Sequence, residues 1–359
     1  MIGFNKKGDH ELDNTMVSRA KAKLAMVLTI GLLFLFIFLV ISWSLGAVDI
    51  AFIDTLGYLK NILVNLGPDS SSPHEQIIWD RVVRSVAVIG VGIGLSVSGV
   101  VMQALIRNPL VDPYITGISS GAALGATLSL LAGVSIISLS GFTTPIAAFI
   151  GAIVAFFITM SLAEATGGRS TNYVLSGVIV GIAISSFTTI IIVFSESKRL
   201  HGALFWLYGS FSYISWTEAL LIILPVMILS FVLLMFTREL NVILLGDEHA
   251  RHLGLNVKRF KTLSILIVSI LTAISVAFCG IIGFLGLIVP HSARMLVGGD
   301  HRLLIPASIV LGGNVLLVAD IFARILFRPM ELPIGAIISM VGAPFFIYLM
   351  IKRGKGYGG

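Results

Sequence analysis

Apolar and polar positions fall into long blocks along this chain. Apolar stretches occupy about 24–45, 85–106, 114–139, 144–162, 173–194, 217–236, 263–297, 303–327 and 332–351. Most are close to the ~20 residues a helix needs to cross a hydrocarbon core about 30 Å thick. The exception is Leu263–Val297, about 35 residues, which as one helix would reach roughly 52 Å at 1.5 Å per residue. It must fold back. The expected reversal is Cys279-Gly280-Ile281-Ile282-Gly283, because glycine permits backbone conformations that a tight turn requires. The pattern predicts ten helices and an all-α integral membrane protein.

Composition agrees. Of 359 residues, 57% are hydrophobic and 12% charged, and the mean hydropathy is +1.02; soluble domains carry about 25% charged residues. Length alone would suggest two domains, but the apolar runs continue evenly to the C-terminal end. One transmembrane domain over 24–351 is expected. Residues 1–23 are polar, with Lys6, Lys7, Arg19, Lys21 and Lys23, and read as a cytoplasmic tail, as do residues 352–359. The run from Leu24 to Leu45 exceeds a signal-peptide core of about 7–15 residues, so it reads as an uncleaved first helix. With ten crossings both termini are cytoplasmic in a cell (inner or plasma) membrane. Of the 24 Lys and Arg, Lys60, Arg81, Arg84, Lys198, Arg199, Arg324 and Arg328 then fall outside. The remainder, including Lys352, Arg353 and Lys355, fall inside, as the positive-inside rule requires. The net charge of +6 is explained this way, without nucleic acid.

Gly117, Gly121 and Gly125 recur every four residues, as do Gly177 and Gly181, and Gly90, Gly92, Gly94 and Gly99 crowd one span. Small residues let helix backbones approach in lipid, so these glycines are structural first and a substrate path second. The cores of the first seven runs contain no Asp, Glu, Lys or Arg. Intramembrane charges mark proton relays and ion coupling, so their absence argues against an ion-coupled secondary carrier. Asp320 and Arg324, near a helix end, are spaced to pair on one face. His291 has no second ligand at i+3 or i+4 and reads as a structural histidine. The lone Cys279 reads as a small packing residue; one cysteine makes neither an internal disulfide nor a cysteine metal cage. No nucleophile–base pair, phosphate loop or dinucleotide fingerprint is visible. The chain is not expected to be an enzyme or to bind a cofactor or metal itself.

The longest polar insert, Arg238 to Arg259, is cytoplasmic on this topology. Gly246 and Asp247 can start a short helix, with Asp247 as its cap, and Gly254 can end it in the left-handed conformation. Such a helix is too short to be stable alone. It presents Ala250 and Leu253 among charges. An ordinary solvated loop and a docking element remain equally open on spacing alone.

Four blocks give the sequence a resemblance. The first contains Arg81-Val82-Val83-Arg84, then Gly99-Val100-Val101-Met102-Gln103-Ala104-Leu105-Ile106-Arg107-Asn108-Pro109-Leu110-Val111-Asp112-Pro113, then Gly117-Ile118-Ser119-Ser120-Gly121-Ala122. The second is Leu245 to Gly254. The third is Gly283-Phe284-Leu285-Gly286-Leu287-Ile288-Val289-Pro290-His291 with Arg294 and Asp300-His301-Arg302. The fourth contains Ala319-Asp320, Arg324, Glu331-Leu332-Pro333-Ile334-Gly335 and Gly342-Ala343-Pro344-Phe345-Phe346. In this order they resemble the iron-chelate and vitamin B12 permeases of type II ABC importers, over nearly the whole chain after Trp79. The resemblance implies a vitamin B12-permease-like fold and a homodimer with its path on the two-fold axis. It implies two cytoplasmic ATPase subunits carrying ATP and Mg, and one extracytoplasmic binding protein. It makes about 246–255 a coupling helix that meets the ATPase through Asp247, Glu248, Ala250, Arg251, Leu253 and Gly254. It casts Arg81, Arg84 and Arg324, with Arg328 nearby, as cations that steer the binding protein, which exposed charges do through orientation and on-rate; otherwise they are a solvated helix end. It locates the cytoplasmic gate near Ser170, Thr171 and Asn172. Ser185, Ser186, Thr188 and Thr189 could face the path, although such hydroxyls also bond to their own helix. The acidic segment Asp49–Asp80 departs from the family pattern. A ferric siderophore is the expected cargo, with haem and cobalamin as alternatives.

Overall fold

The computed structural model describes residues 6–131, 141–195, 197–212 and 214–354; Lys355 and the 132–139 part of the third predicted span lie outside them. In chain order the helices are α1 (Lys6–Ser44), α2 (Phe52–Asn65), α3 (Pro73–Ile106), α4 (Ile118–Leu131), α5 (Thr143–Ala165), α6 (Ser170–Val193), α7 (Ser197–Leu207), α8 (Trp216–Met235), α9 (Thr237–Ile243), α10 (Asp247–His252), α11 (Val257–Cys279), α12 (Leu285–Val297), α13 (His301–Ile325) and α14 (Ile334–Gly354). A 3-10 turn, Pro113–Thr116, precedes α4. No strand occurs among the described residues.

Seven of these helices are long and apolar enough to cross a membrane: α1 from Ser18, α3, α5, α6, α8, α11 and α13. Three shorter apolar stretches, α4, α12 and the Ile334–Tyr348 part of α14, bring the number to the predicted ten. The α12 helix has 13 residues, about 20 Å at 1.5 Å per residue, so non-helical chain must complete its crossing. Irregular backbone is tolerated at that depth only inside protein or along a cavity. The long apolar run reverses where expected: α11 ends at Cys279 and α12 starts at Leu285. Gly280 has φ +74°, and a Cβ there would strike the Trp206 carbonyl, so no side chain fits the turn.

The structure departs from the sequence pattern at the ends. The α1 helix begins at Lys6, within the predicted tail, and α3 begins at Pro73 rather than near 85. Ser72 caps α3 by accepting from the Glu75 amide, and Pro73 occupies its first turn. Hydropathy is blind to both, since helix starts are fixed by caps, not by apolar content. Helices α2, α7 and α9 lie in segments read only as links.

The interior is built on α3, 89% of whose apolar window is buried, against 11% for α1 and 22% for α6. Close approach explains the glycines. A methyl at Gly99 would strike the Gly286 carbonyl on α12, and one at Gly121 the Gly151 carbonyl on α5. Such contacts supply dispersion energy where the hydrophobic effect supplies none. Cys279 is buried.

Candidate functional site

Three regions carry the predicted functional residues. At the end of the bundle that the positive-inside rule assigns to the cytoplasm, α10 turns across the starts and ends of spanning helices. Its N-cap is Gly246, with φ +105°; Asp247 makes no cap hydrogen bond, contrary to the sequence expectation. Its carboxylate is drawn instead to Lys261 of α11 at 2.7 Å and Arg107, beyond α3, at 3.6 Å. The Lys261 side chain is only 8% exposed, so this pair is better shielded than a surface bridge. The helix ends as expected at Gly254, φ +86°, where the Leu255 amide donates to the Ala250 carbonyl at 3.0 Å. Ala250 is completely buried in its own chain, which corrects the expectation that it is presented outward: it seats the helix. Leu253 is 65% exposed, and Leu244 and Leu245 are exposed beside it. Glu248, Arg251 and Gly254 are also exposed. Leu244, Leu245 and Leu253 are therefore left uncovered by this chain.

The predicted gate lies at the same end. Gly167 and Gly168 both have positive φ and turn the chain between α5 and α6. Asn172 donates to the Thr166 carbonyl at 2.6 Å, Thr171 to the Asn172 side chain at 3.5 Å, and Ser170 to the Leu105 carbonyl of α3 at 3.4 Å. Sequence reasoning missed the latch beside them. The Tyr173 hydroxyl donates to Glu164, and Lys258 of α11 pairs with the same carboxylate at 3.3 Å. The start of α11 therefore touches both α10 and the end of α5 beside the α5–α6 turn. Nothing in the sequence marks the Lys258 contact, because Lys258 stands far along the chain from Glu164.

The predicted path residues separate. Ser185, Ser186 and Thr189 line an open cleft of about 430 Å³ with Tyr114, Ser120 and Gly181. Ser185 reaches Ser120 at 3.5 Å. Thr188 is buried away from the cleft and donates to the Ile184 carbonyl at 3.1 Å. The hydroxyls of Ser186 and Thr189 also donate to their own helix, leaving their oxygens as acceptors toward the cleft. No ionised side chain lines it.

At the opposite end the arginines are not the solvated cations expected from sequence. Arg81 is 8% exposed and donates to the carbonyls of Trp43, Ser44 and Val48. Arg324 donates to the carbonyls of Ser42 and Leu45 and to the Ser42 hydroxyl. Together they satisfy the carbonyls that a helix leaves unpaired at its C-terminus, here the end of α1. Arg84 presents Nε at 2.9 Å and Nη2 at 2.8 Å to Oδ1 of Asp320, and Nη1 to Glu331 at 2.9 Å. The expected Asp320–Arg324 pair forms at 3.1 Å as an ion pair without hydrogen-bond alignment. Asp320 is completely buried. Arg81, Arg84, Arg324 and Glu331, but not Asp320, line a cavity of about 540 Å³ together with Asp80, Val48 and Ile214. Arg328 lies nearer solvent and pairs with Asp49 at 2.6 Å. That hydrogen bond lowers the Asp49 carboxyl below its ordinary pKa, against an opposing effect of burial.

The His291 ring stands edge-on to Phe345, with ring centroids 6.1 Å apart. Among the described residues no group of three or more His, Cys, Asp or Glu could hold a metal ion.

Comparison with known proteins follows the same lines. The model of the FecCD transport family matches residues 33–352. The cobalamin import system permease protein BtuC of Halobacterium salinarum is 40% identical over 275 residues, covering 76% of this chain and 72% of that protein. The hemin transport system permease protein HmuU of Yersinia pestis is 36% identical, covering 89% and 95%. The Fe(3+)-citrate import system permease protein YfmD of Bacillus subtilis is 36% identical, covering 93% and 96%. An inward-facing structure of a transporter described as of the metal-chelate ABC type superposes with a TM-score of 0.78 at 32% identity, covering 91% of this chain and 99% of that one.

Proposed function

This chain belongs to the FecCD transport family and is an ABC importer permease, and from that premise we propose that it moves a ferric siderophore or related metal chelate across the cell membrane as a homodimer driven by two separate ATPase subunits. ATP and Mg belong to those subunits. The observation that carries the drive is α10. A six-residue helix is unstable alone, yet this one is seated by buried Ala250 and by the Asp247–Lys261 pair while Leu244, Leu245 and Leu253 face outward. ATPase closure would push on that patch, and α11 would pass the displacement through Lys258 to Glu164 and the gate turn at Ser170, Thr171 and Asn172. The cleft of about 430 Å³ offers hydroxyls and apolar walls without fixed charge. It would hold a chelate weakly and release it, affinity residing in an extracytoplasmic binding protein.

The binding protein would approach the end bearing Arg81, Arg84, Arg324 and Arg328. Arg328 is the exposed member; an acidic side chain would meet Arg81 and Arg84 only by entering the cavity of about 540 Å³ above them. Uptake in proteoliposomes tests the reading. ATP-dependent import of a radiolabelled ferric siderophore is expected with binding protein and ATPases present. Import of cobalamin or haem in its place would reassign the cargo, and import of any of them without ATPase would overturn the class.

A further inference from the structure

Helix α2 has three distinct sides. Thr55 and Ile62 are buried, with Tyr58 and Leu59 partly so. Ser44 at the end of α1 donates to Thr55 at 3.2 Å. Ile62 packs with Ile50 and with Ile78 of α3, and the Tyr58 ring stacks on His74. That side belongs to the protein. Phe52, Ile53, Leu56, Leu63 and Val64 are 45–81% exposed. At 3.6 residues per turn they share an arc of about 120°, with Lys60 inside it. Asp54, Asn61 and Asn65 gather on a narrow polar edge of about 40° by the same spacing.

The height of the helix identifies what meets the apolar arc. Trp79, which packs on the Ile50–Ile62–Ile78 cluster, lies 5.5 Å from the ring of Trp216 at the start of α8. Trp43 near the end of α1 donates to Ser85 of α3. Indoles collected at one end of a bundle mark the membrane–water boundary, and α2 packs at their level. Val48, just beyond the end of α1, is exposed as well, and α1 has only 11% of its apolar window buried.

We infer that α2 is an interfacial helix whose Phe52–Ile53–Leu56–Leu63–Val64 side is immersed in the outer leaflet beside α1. Helices with one apolar and one polar side lie in this plane. Lys60 lays its methylene stem across the arc and raises its ammonium to lipid phosphates, while Asp54, Asn61 and Asn65 face water. The helix thereby fixes the height of α1 and of the Arg81-capped turn that follows it.

Single cysteines at Ile53, Leu63, Val64, Asp54 and Asn61 test this in the full chain, with Cys279 left in place because it is buried. Each is spin-labelled in vesicles of phosphatidylethanolamine and phosphatidylglycerol, and collisions with oxygen and with a water-soluble nickel chelate are compared. Oxygen collisions should dominate at positions 53, 63 and 64, and nickel-chelate collisions at 54 and 61. Nickel-chelate dominance at all five would overturn the inference and leave the arc in water. Protection from both reagents at 53, 63 and 64 would overturn it equally, by assigning the arc to a protein surface such as a second copy.

Discussion

Asp320→Asn is the sharpest test of the outer charge cluster. Asp320 is completely buried, with Arg84 at 2.8 Å and Arg324 at 3.1 Å. The substitution preserves shape and one oxygen acceptor but removes the negative charge facing two guanidinium groups. Removing one partner of a buried ion pair costs about 3–5 kcal/mol, because the remaining charge is left uncompensated. Arg84 retains Glu331, and Arg324 retains its contacts to Ser42 and Leu45, so the loss should fall near the lower end, about 3 kcal/mol or roughly a hundredfold in the folding equilibrium. Unfolding midpoints in mixed detergent micelles, read by helicity, measure it directly. A cycle with Arg84→Met should recover part of the loss in the double variant, since neither charge is then stranded. A loss below about 1 kcal/mol, typical of an exposed pair, with no coupling to Arg84, would refute the reasoning and return the cluster to the solvated helix end that sequence alone allowed.

Arg81→Met should reduce the amount of assembled complex, and not merely binding-protein docking. It strips the α1 terminus of charged donors worth about 1.5–3 kcal/mol each, and quantitative gel filtration of purified complex checks this. Asp247→Asn should lower uptake severalfold while ATPase subunits still bind, because it loosens the seat of α10 without touching its exposed leucines; ATPase activity and uptake measured together would show the uncoupling. Glu164→Gln weakens the link from Lys258 to the gate turn and should raise substrate-independent leak of a small solute from loaded vesicles. Gly181→Val projects methyl groups toward Ser120 in the cleft and should depress uptake with little change in the unfolding midpoint.

Much of the architecture follows from hydropathy alone. A helix buries its own backbone polar groups, and only an apolar run of about 20 residues crosses lipid, so the spans had to appear wherever such runs occur. The fold-back at Gly280 followed from length, and the short helix at 247–252 from its flanking glycines. Both are marked by local residues, although the short helix is held in place by Lys261 of α11.

The charges are different. Arg81 and Arg324 read as surface cations because hydropathy treats every arginine alike. What buries them is the end of α1, whose unpaired carbonyls lie 33–38 positions from Arg81 and about 280 from Arg324. Asp247 looked like a cap because its type and position suit one, but Lys261 and Arg107 offered a full charge where the helix offered only amide dipoles. The Lys258 contact of the Tyr173–Glu164–Lys258 latch has no local signature. Sequence therefore determined which segments enter the membrane, since that choice is made against lipid one helix at a time. Only the tertiary structure decided which polar groups are buried and which stay free to meet a partner, since that depends on carbonyls and counter-charges brought in from distant helices.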